Sequence, residues 1–391
     1  MNIPIIDISP LHSLTIADDH SSSPSSPAAL QKCIADLKSA CQSHGFFAIQ
    51  NHGIPSSLIT AVRHASRDFF DSSPDIKREV TMSEDYPYGY ENYESLGVMY
   101  CSNGSGGDGN DSSSNDSSAN RQQVSTMIDS KETFSIGPSH NSSKMPPRQF
   151  PSHPSSFQRA LTEYYTAMET LACTLFRGLA LALDLKMDWF LQRDVFDVTA
   201  HQCALRVLNY PPLEYYEDAD AAGDETKNKT VIRAGAHTDY GALTILLSGG
   251  PGLQLCLDPN QETNANNDTI TSNTNTTTWM DVPHLEGAFI INLGDLMQRW
   301  TNDRWRSTLH RVVAVPDDIA CDDEGHSNNE RRLIRCSRRQ SIAFFVNMNG
   351  DANIVPFESC VDEKSNPARY EAIKASDHLM QRHLRSMGKQ T

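Results

Sequence analysis

Two polar residues stand two positions apart in an otherwise apolar segment, GAHTDYGALTIL (residues 235–246). If this segment is one β-strand, its side chains alternate between two faces, so His237 and Asp239 point to the same side. Polar side chains that face a protein interior carry a desolvation cost unless they are paired or bind a ligand. Alone, this pair favours a structural histidine hydrogen-bonded to a carboxylate over a metal site.

A second histidine, His310, lies in another segment of alternating polarity, STLHRVVAV. If the two strands face each other, His237, Asp239 and His310 bring together two imidazoles and one carboxylate. This donor set leaves coordination positions open and is typical of non-haem Fe(II) oxygenases. Zinc is the alternative metal, although a catalytic zinc site is usually tetrahedral with a single open position.

A third feature is a possible receptor for a carboxylate. In the segment RQSIAFFV, Arg339 and Ser341 are two residues apart on a predicted strand and therefore face the same side. A guanidinium beside a hydroxyl binds a carboxylate well, because the arginine can donate two parallel hydrogen bonds. The alternative is an arginine at a strand edge, at the end of the chain's only dense basic cluster. The other members of that cluster, which we expect in a solvated loop, are Arg331, Arg332, Arg335 and Arg338.

Composition excludes several classes of function. The chain has 391 residues and a net charge of −16, which argues against sequence-independent nucleic-acid binding. Its nine cysteines include no C-x-x-C pair, a usage typical of a reduced intracellular compartment. We see no secretory signal and no apolar run of membrane-spanning length. We therefore expect a cytoplasmic protein without a nucleic-acid or membrane partner.

Four tracts have low complexity, and we expect them to be disordered insertions because they cannot bury enough apolar surface. They are residues 21–26, 102–120, 261–278 and 317–329.

The remaining sequence changes its periodicity near Cys203. Before this point, apolar stripes predict two strands and three helices, at residues 3–8 and 46–53 and at residues 28–44, 57–70 and 157–183. After it, short apolar segments alternate with a period of two, which favours an all-β barrel or a double-sheet jelly roll. A final helix is predicted over residues 367–386.

Several segments resemble, in order, one family: the isopenicillin N synthase-like branch of the Fe(II)/2-oxoglutarate-dependent oxygenases. The resemblance covers most of the chain outside the four tracts. Besides the segments with the H-x-D and R-x-S pairs, the similar segments are IPIIDIS, CQSHGFFAIQNHGIP, DFFDSSPDIKRE, DSKETFSIG, LRVLNYPP, GLQL and INLGDLMQRWTNDRWRSTLHRV.

The resemblance implies a role for each candidate residue. His237, Asp239 and His310 would ligate Fe(II), and Arg339 with Ser341 would bind the distal carboxylate of 2-oxoglutarate. The insertions at residues 261–278 and 317–337 lengthen the intervals between these residues. Both fall between strands, where a longer loop costs little free energy.

Tyr210, which precedes Pro211, matches a family tyrosine that hydrogen-bonds the same cosubstrate. The chain departs from the family pattern two residues earlier, because many plant members carry asparagine where this chain has Leu208. That position therefore offers no polar contact to 2-oxoglutarate.

The pattern and the resemblance together predict a double-stranded β-helix (jelly roll) core with a helical N-terminal region and a C-terminal helix, α+β overall. We divide the chain into an N-terminal dioxygenase region (residues 1–150), a long supporting helix (151–200), the jelly-roll oxygenase domain (201–347) and a C-terminal helical extension (348–391).

The family implies a function in specialised metabolism. The enzyme would use Fe(II), 2-oxoglutarate and O2 to activate a C–H bond of a small molecule, by hydroxylation, desaturation or oxidative cyclisation, and release succinate and CO2. Two alternatives stay open: an oxidase of this fold that does not use 2-oxoglutarate, and a non-catalytic binding protein. We expect a monomer.

Three further polar residues have less specific patterns. Asn292 and Asp295, in INLGDLMQRW, are expected to cap a turn and the helix that follows, without a catalytic role. Arg206 alternates with Leu205 and Val207, and an interior polar contact is the less favoured interpretation of it.

Overall fold

The computed structural model has two facing β-sheets with helices packed on the outer side of the larger one. It describes residues 2–14, 26–83, 86–92, 131–139, 146–217, 230–257, 278–317 and 332–386. The four low-complexity tracts lie outside the described residues apart from Ser26, Thr278 and Asp317 at their ends.

Sixteen strands lie within the described residues. They are β1 (Ile5–Asp7), β2 (Phe46–Gln50), β3 (Gly89–Asn92), β4 (Glu132–Ile136), β5 (Ala204–Tyr210), β6 (Leu213–Glu217), β7 (Ile232–His237), β8 (Leu243–Leu247), β9 (Leu253–Cys256), β10 (Trp279–Asp281), β11 (Phe289–Leu293), β12 (His310–Val313), β13 (Arg332–Cys336), β14 (Arg339–Val346), β15 (Asn353–Ile354) and β16 (Ile373–Lys374).

Six α-helices accompany the strands in the same ranges. They are α1 (Pro27–Ser43), α2 (Ser56–Phe70), α3 (Pro74–Arg78), α4 (Ser155–Ala182), α5 (Asp295–Trp300) and α6 (Ala375–Ser386). α1 shows how the sequence sets a helix start, since the Ser26 hydroxyl accepts a hydrogen bond from the Ala29 amide and Pro27 occupies the first position. No helix of the described residues is long and apolar enough to cross a bilayer.

The sheets form the predicted jelly roll. The larger sheet has eight strands in the order β1-β2-β11-β8-β14-β5-β4-β3, and the smaller has four in the order β10-β9-β12-β7. Within these two sheets all pairs are antiparallel except β1 with β2. The N-terminal half supplies β1 to β4, so its strands extend the sheet that carries β5, β8, β11 and β14. The sequence predicted β1 and β2 but not the short strands β3 and β4.

Four strands of the larger sheet, β2, β5, β8 and β11, divide their side chains between two apolar clusters. On the outer face, residues such as Leu205 and Phe344 pack against α4. On the inner face, Tyr210, Leu246 and Phe46 belong to a smaller cluster between the sheets. The alternation therefore places a large stabilising core on one side and leaves the other side for the site.

The segment with the H-x-D pair is not the single strand that its composition suggests. β7 ends at His237, a turn covers residues 238–242, and β8 begins at Leu243 in the other sheet. His237 therefore lies on the smaller sheet, and Asp239 lies in the turn that crosses to the larger one.

Two other expectations need correction. The C-terminal helix begins at Ala375 rather than residue 367, because Ile373–Lys374 pairs with Asn353–Ile354 as a short antiparallel ladder. Of the basic cluster expected in a solvated loop, Arg331 lies outside the described residues, and the described members do not lie in a loop of that kind. Arg335 lies in β13 beside Glu214, and Arg338, whose side chain is 16% exposed, forms an ion pair with Asp71.

The outer core should dominate the stability of the fold. Phe69 is fully buried, stacks on Phe157 at a centroid distance of 4.6 Å and meets Phe134 edge-on. We expect Phe69→Ala to lower the free energy of unfolding by about 3–5 kcal/mol, measured by urea denaturation. Val198→Ala, at a position that is 58% exposed, is the control and should change it little. A loss below about 1 kcal/mol for Phe69→Ala would contradict this packing.

Candidate active site

The two histidines and the aspartate meet at one end of the space between the sheets. His237, the last residue of β7, pairs in register with His310, the first residue of β12. The Nε2 atom of each imidazole lies 3.9 Å from Oδ1 of Asp239, and one ligand atom from each residue falls within 4.8 Å of the others. The array is compact enough for a single metal ion.

Backbone carbonyl groups select the tautomer of both histidines. Nδ1 of His237 lies 2.8 Å from the Gly235 oxygen, and Nδ1 of His310 lies 3.0 Å from the Thr308 oxygen. A carbonyl oxygen only accepts hydrogen bonds, so each Nδ1 carries the proton and donates it. Both Nε2 lone pairs are then free to bind a metal.

The Asp239 carboxylate is oriented by two residues of the larger sheet. Its Oδ2 accepts hydrogen bonds from Thr244 Oγ1 at 2.5 Å and from Asn292 Nδ2 at 2.6 Å. Oδ1 is left to face the imidazoles. Asn292 therefore does not cap the following helix, as its sequence position suggested, but holds a candidate metal ligand.

The electrostatics favour the protonation state that a divalent cation needs. Burial raises the pKa of Asp239, but the two imidazoles and the hydrogen bonds from Asn292 and Thr244 outweigh it, so this pKa lies below its ordinary value. Although 47% of the His237 side chain is exposed, partial loss of hydration and the nearby His310 lower the pKa of this histidine. At neutral pH the site thus holds an ionised carboxylate and a neutral His237, as metal binding requires.

Arg339 lies on the inner face of β14, two strands away from β11. It is 6% exposed, and its Nε donates to the Pro251 carbonyl at 3.0 Å. No ion pair among the described residues includes it, so the guanidinium has no carboxylate partner there. A buried cation without a counter-ion is costly, and an anionic ligand would offset that cost.

Ser341 and Tyr210 lie beside Arg339. Tyr210 is directly opposite Arg339 in the β5–β14 ladder, and its ring centre lies 5.4 Å from the guanidinium carbon. Ser341 follows two residues later on the same face and is 2% exposed. Leu208 lies opposite Ser341 in the same ladder and adds no polar group there, whereas many plant members of the family that the sequence resembles carry asparagine at this position. The donor set fits a carboxylate.

Arg206 also belongs to this inner face, which the sequence interpretation did not favour. It pairs with Ala343 and Ser135 in the ladders on either side, at the level between Ser341 and Phe345. Its Nε donates to Ser135 Oγ at 3.0 Å, and its guanidinium carbon lies 6.0 Å from the Phe345 ring centre. The sequence contained a signal for this position. Arg206 is four residues before Tyr210 on the same strand, so the alternation of side chains places both on one face.

The hydrogen bond from Asn292 gives a direct test of the geometry. We expect Asn292→Ala to weaken binding of a divalent metal by about 10-fold to 100-fold, because Asp239 loses one of the two donors that orient it. Anaerobic titration with Fe(II) measures this change. Asn366→Ala is the control: this side chain bonds the Asn302 and Cys360 carbonyls and Arg369, so its loss should leave metal affinity unchanged. Equal affinities for wild type and Asn292→Ala would contradict the assigned role.

Models of known protein families match both halves of the chain. Residues 3–153 match the model described as the N-terminal region of the non-haem dioxygenases in morphine synthesis, and residues 202–348 match the 2OG-Fe(II) oxygenase superfamily. Among curated proteins, homoarginine-6-hydroxylase 2-ODD-233 of Oryza sativa is 27% identical over 98% of this chain and 96% of its own. The 2-oxoglutarate-dependent dioxygenase tropC of Talaromyces stipitatus is 26% identical over 93% and 91%.

Solved structures share the fold. A full-length Neurospora crassa protein in complex with alpha-KG and thymine superposes with a TM-score of 0.68, at 22% identity over 98% of this chain and 97% of that one. JOX2 in complex with 2OG, Fe and JA gives a TM-score of 0.63 at 23% identity, over 97% and 84%. Because the two family models match in order and together span well over half of the chain, the chain belongs to the 2OG-Fe(II) oxygenase superfamily and is an oxidoreductase that uses Fe(II), 2-oxoglutarate and O2.

Proposed function

We propose that His237, Asp239 and His310 are the iron ligands of this oxygenase. The observation that carries the proposal is the convergence of two Nε2 atoms and one carboxylate oxygen within 4.8 Å, with the tautomers set for metal binding. The alternative of a non-catalytic binding protein does not account for this complete donor set.

For 2-oxoglutarate we propose Arg339, Ser341 and Tyr210 as the residues that bind its distal carboxylate. The guanidinium of Arg339 is buried and has no carboxylate partner among the described residues, so an anion of fixed position would stabilise it. When bound, the iron and the cosubstrate supply the oxidising chemistry, in which O2 is consumed and 2-oxoglutarate leaves as succinate and CO2.

The residues of the chain contribute binding, orientation and exclusion of water. Arg339 would orient the far end of the cosubstrate, so that its keto-acid end points toward the metal ligands. Asn292 and Thr244 keep Asp239 in place throughout. Phe46 of the apolar inner cluster packs edge-on against the His310 ring, with ring centres 5.4 Å apart, and would shield this ligand from bulk water.

An acidic small molecule fits the remaining inner face as the substrate. Arg206 shares this face with Ser341 and with Thr244, and no ion pair within the described ranges engages it. In a chain of net charge −16, two cations on one inner face without carboxylate partners indicate that anions bind there. Arg339 accounts for the cosubstrate, and we assign Arg206 to a carboxylate or similar group of the substrate.

Relatives are compatible with this substrate class. The rice relative is named as a homoarginine hydroxylase, and an amino acid carries a carboxylate. Hydroxylation is the simplest outcome for a substrate held by one anionic group with a C–H bond near the metal. Desaturation and oxidative cyclisation use the same residues and differ in how the substrate is placed.

The setting of the activity follows from the same features. We propose a monomer in the cytoplasm that acts on a small molecule, without nucleic-acid or membrane partners. The acidic net charge supports the absence of a nucleic-acid partner. The absence of disulfides among the described cysteines supports the cytoplasmic location.

Removal of the Arg339 guanidinium tests the cosubstrate site. We expect Arg339→Ala to raise the Kd of 2-oxoglutarate by about 10-fold to 100-fold, because charge-assisted hydrogen bonds are lost. The charge-transfer band of the anaerobic Fe(II)–2-oxoglutarate complex measures this Kd. Arg338→Ala is a matched control, since its neighbouring guanidinium bonds Asn209 and Asp71 instead. An unchanged Kd for Arg339→Ala would contradict the assignment of Arg339 to the distal carboxylate.

Matched pairs of carboxylic acids and their primary amides test the substrate class. We expect acids to stimulate succinate release more than their amides, because only the acid forms an ion pair with Arg206. In Arg206→Gln the preference for the acid should fall by about 10-fold or more. Amides that stimulate turnover as well as the acids do would contradict the assignment of Arg206.

A further inference from the structure

The position of Asp239 depends on a turn, not on a strand. We call residues 238–242 the ligand turn. Behind it, the first amides of α5 donate to its carbonyl groups: Asp295 N to Asp239 O at 2.8 Å and Leu296 N to Gly241 O at 3.1 Å. These bonds fix the backbone of the ligand turn.

One side chain of the C-terminal helix reaches both neighbours of Asp239. Nη2 of Arg382 donates to Thr238 Oγ1 at 3.0 Å, and its guanidinium carbon lies 4.9 Å from the ring centre of Tyr240. Its Nε lies 2.9 Å from Oδ2 of Asp295, in an ion pair whose side chains are 22% and 16% exposed. Arg382 therefore joins α6, the first residue of α5 and the ligand turn.

A second residue of the same helix face supports this contact. His378, one turn before Arg382, is 7% exposed and lines the same small cavity as Thr238 and Asp295. The start of α6 is fixed in turn, because the Ala375 amide donates to the Ala352 carbonyl at 3.0 Å. The helix thus presents two adjacent polar side chains, on a fixed base, to the ligand turn.

The charge of Arg382 matters as well as its shape. Arg382 lies 2.9 Å from the largely buried carboxylate of Asp295, whose amide contacts Asp239, so the arginine compensates a carboxylate next to the ligand turn. Without this cation, Asp295 would be a buried charge beside the candidate metal ligand. Loss of a partner from such a pair is more damaging than replacement of both partners.

We propose that Arg382 is a positioning residue of the metal centre, so that metal affinity depends on the docking of the C-terminal helix. Arg382 contacts none of the proposed metal-ligand atoms. It contacts Thr238 and Tyr240, on both sides of Asp239, and the carboxylate of Asp295. The inference rests on the proposed metal ligands, His237, Asp239 and His310.

Fe(II) titration of the full chain under anaerobic conditions tests this role. We expect Arg382→Gln to raise the Kd of Fe(II) by about 10-fold, in the range found for residues that orient metal ligands. The Kd of Arg382→Lys should lie between those of wild type and Arg382→Gln, because lysine keeps the charge but cannot contact Thr238 and Asp295 at the same time. Arg193→Gln removes the same charge from a side chain that is 95% exposed and should leave the Kd unchanged.

Hydrogen exchange of the metal-free protein separates positioning from a general loss of stability. In Arg382→Gln the amides of the ligand turn should exchange faster, while those of α4 stay at the wild-type rate. If Arg382→Gln does not fold, Thr238→Val removes one of the same contacts with little change in shape, and we expect it to weaken Fe(II) binding severalfold.

The outcomes are distinguishable. Fe(II) affinities of Arg382→Gln and Thr238→Val within twofold of wild type would overturn the positioning role, and so would an equal loss in Arg193→Gln. Wild-type protein that binds no Fe(II) would contradict the proposed function and this inference with it. Wild-type binding that is lost in His237→Ala but retained in Arg382→Gln contradicts this inference alone.

Discussion

The Asp239 carboxylate is the point at which the two sheets meet. Thr244 and Asn292 of the larger sheet bind one of its oxygens, and the imidazoles of the smaller sheet face the other. A buried carboxylate with this many partners is held in one orientation. The jelly roll therefore has to close correctly before the three ligand atoms can converge, which couples metal binding to the fold.

A second constraint is the positive charge on the inner face of the larger sheet. The chain is strongly acidic overall, yet Arg339 and Arg206 lie inside with no ion-pair partner among the described residues. Arg339 is buried and Arg206 is half-buried, on the same strands that form the core, so the outer apolar cluster offsets the cost of desolvating them. These two cations are the basis for our proposal that the inner face binds a dicarboxylate cosubstrate and an acidic substrate.

Residue type and spacing identified the candidate ligands, and strand parity identified the R-x-S pair, because these are local properties of the sequence. The spacing of Arg339 and Ser341 alone places them on one face, whatever the rest of the fold does. By contrast, the role of Asn292 depends on which strands are neighbours, and β11 meets β8 only through a non-local pairing. The H-x-D segment was misread as one strand because β-branched and apolar residues follow its turn directly, although Asp239 and Gly241 of that turn are residue types that favour turns. The contact of Arg382 with Thr238 spans 144 residues and has no local signal at all.

An anomalous difference map from crystals grown without oxygen, in the presence of Fe(II) and 2-oxoglutarate, tests the proposed metal centre most directly. We expect a single iron peak bound by Nε2 of His237, Nε2 of His310 and Oδ1 of Asp239, with the distal carboxylate of 2-oxoglutarate on Arg339. An iron peak at another place, or a cosubstrate carboxylate that does not reach Arg339, would contradict this assignment.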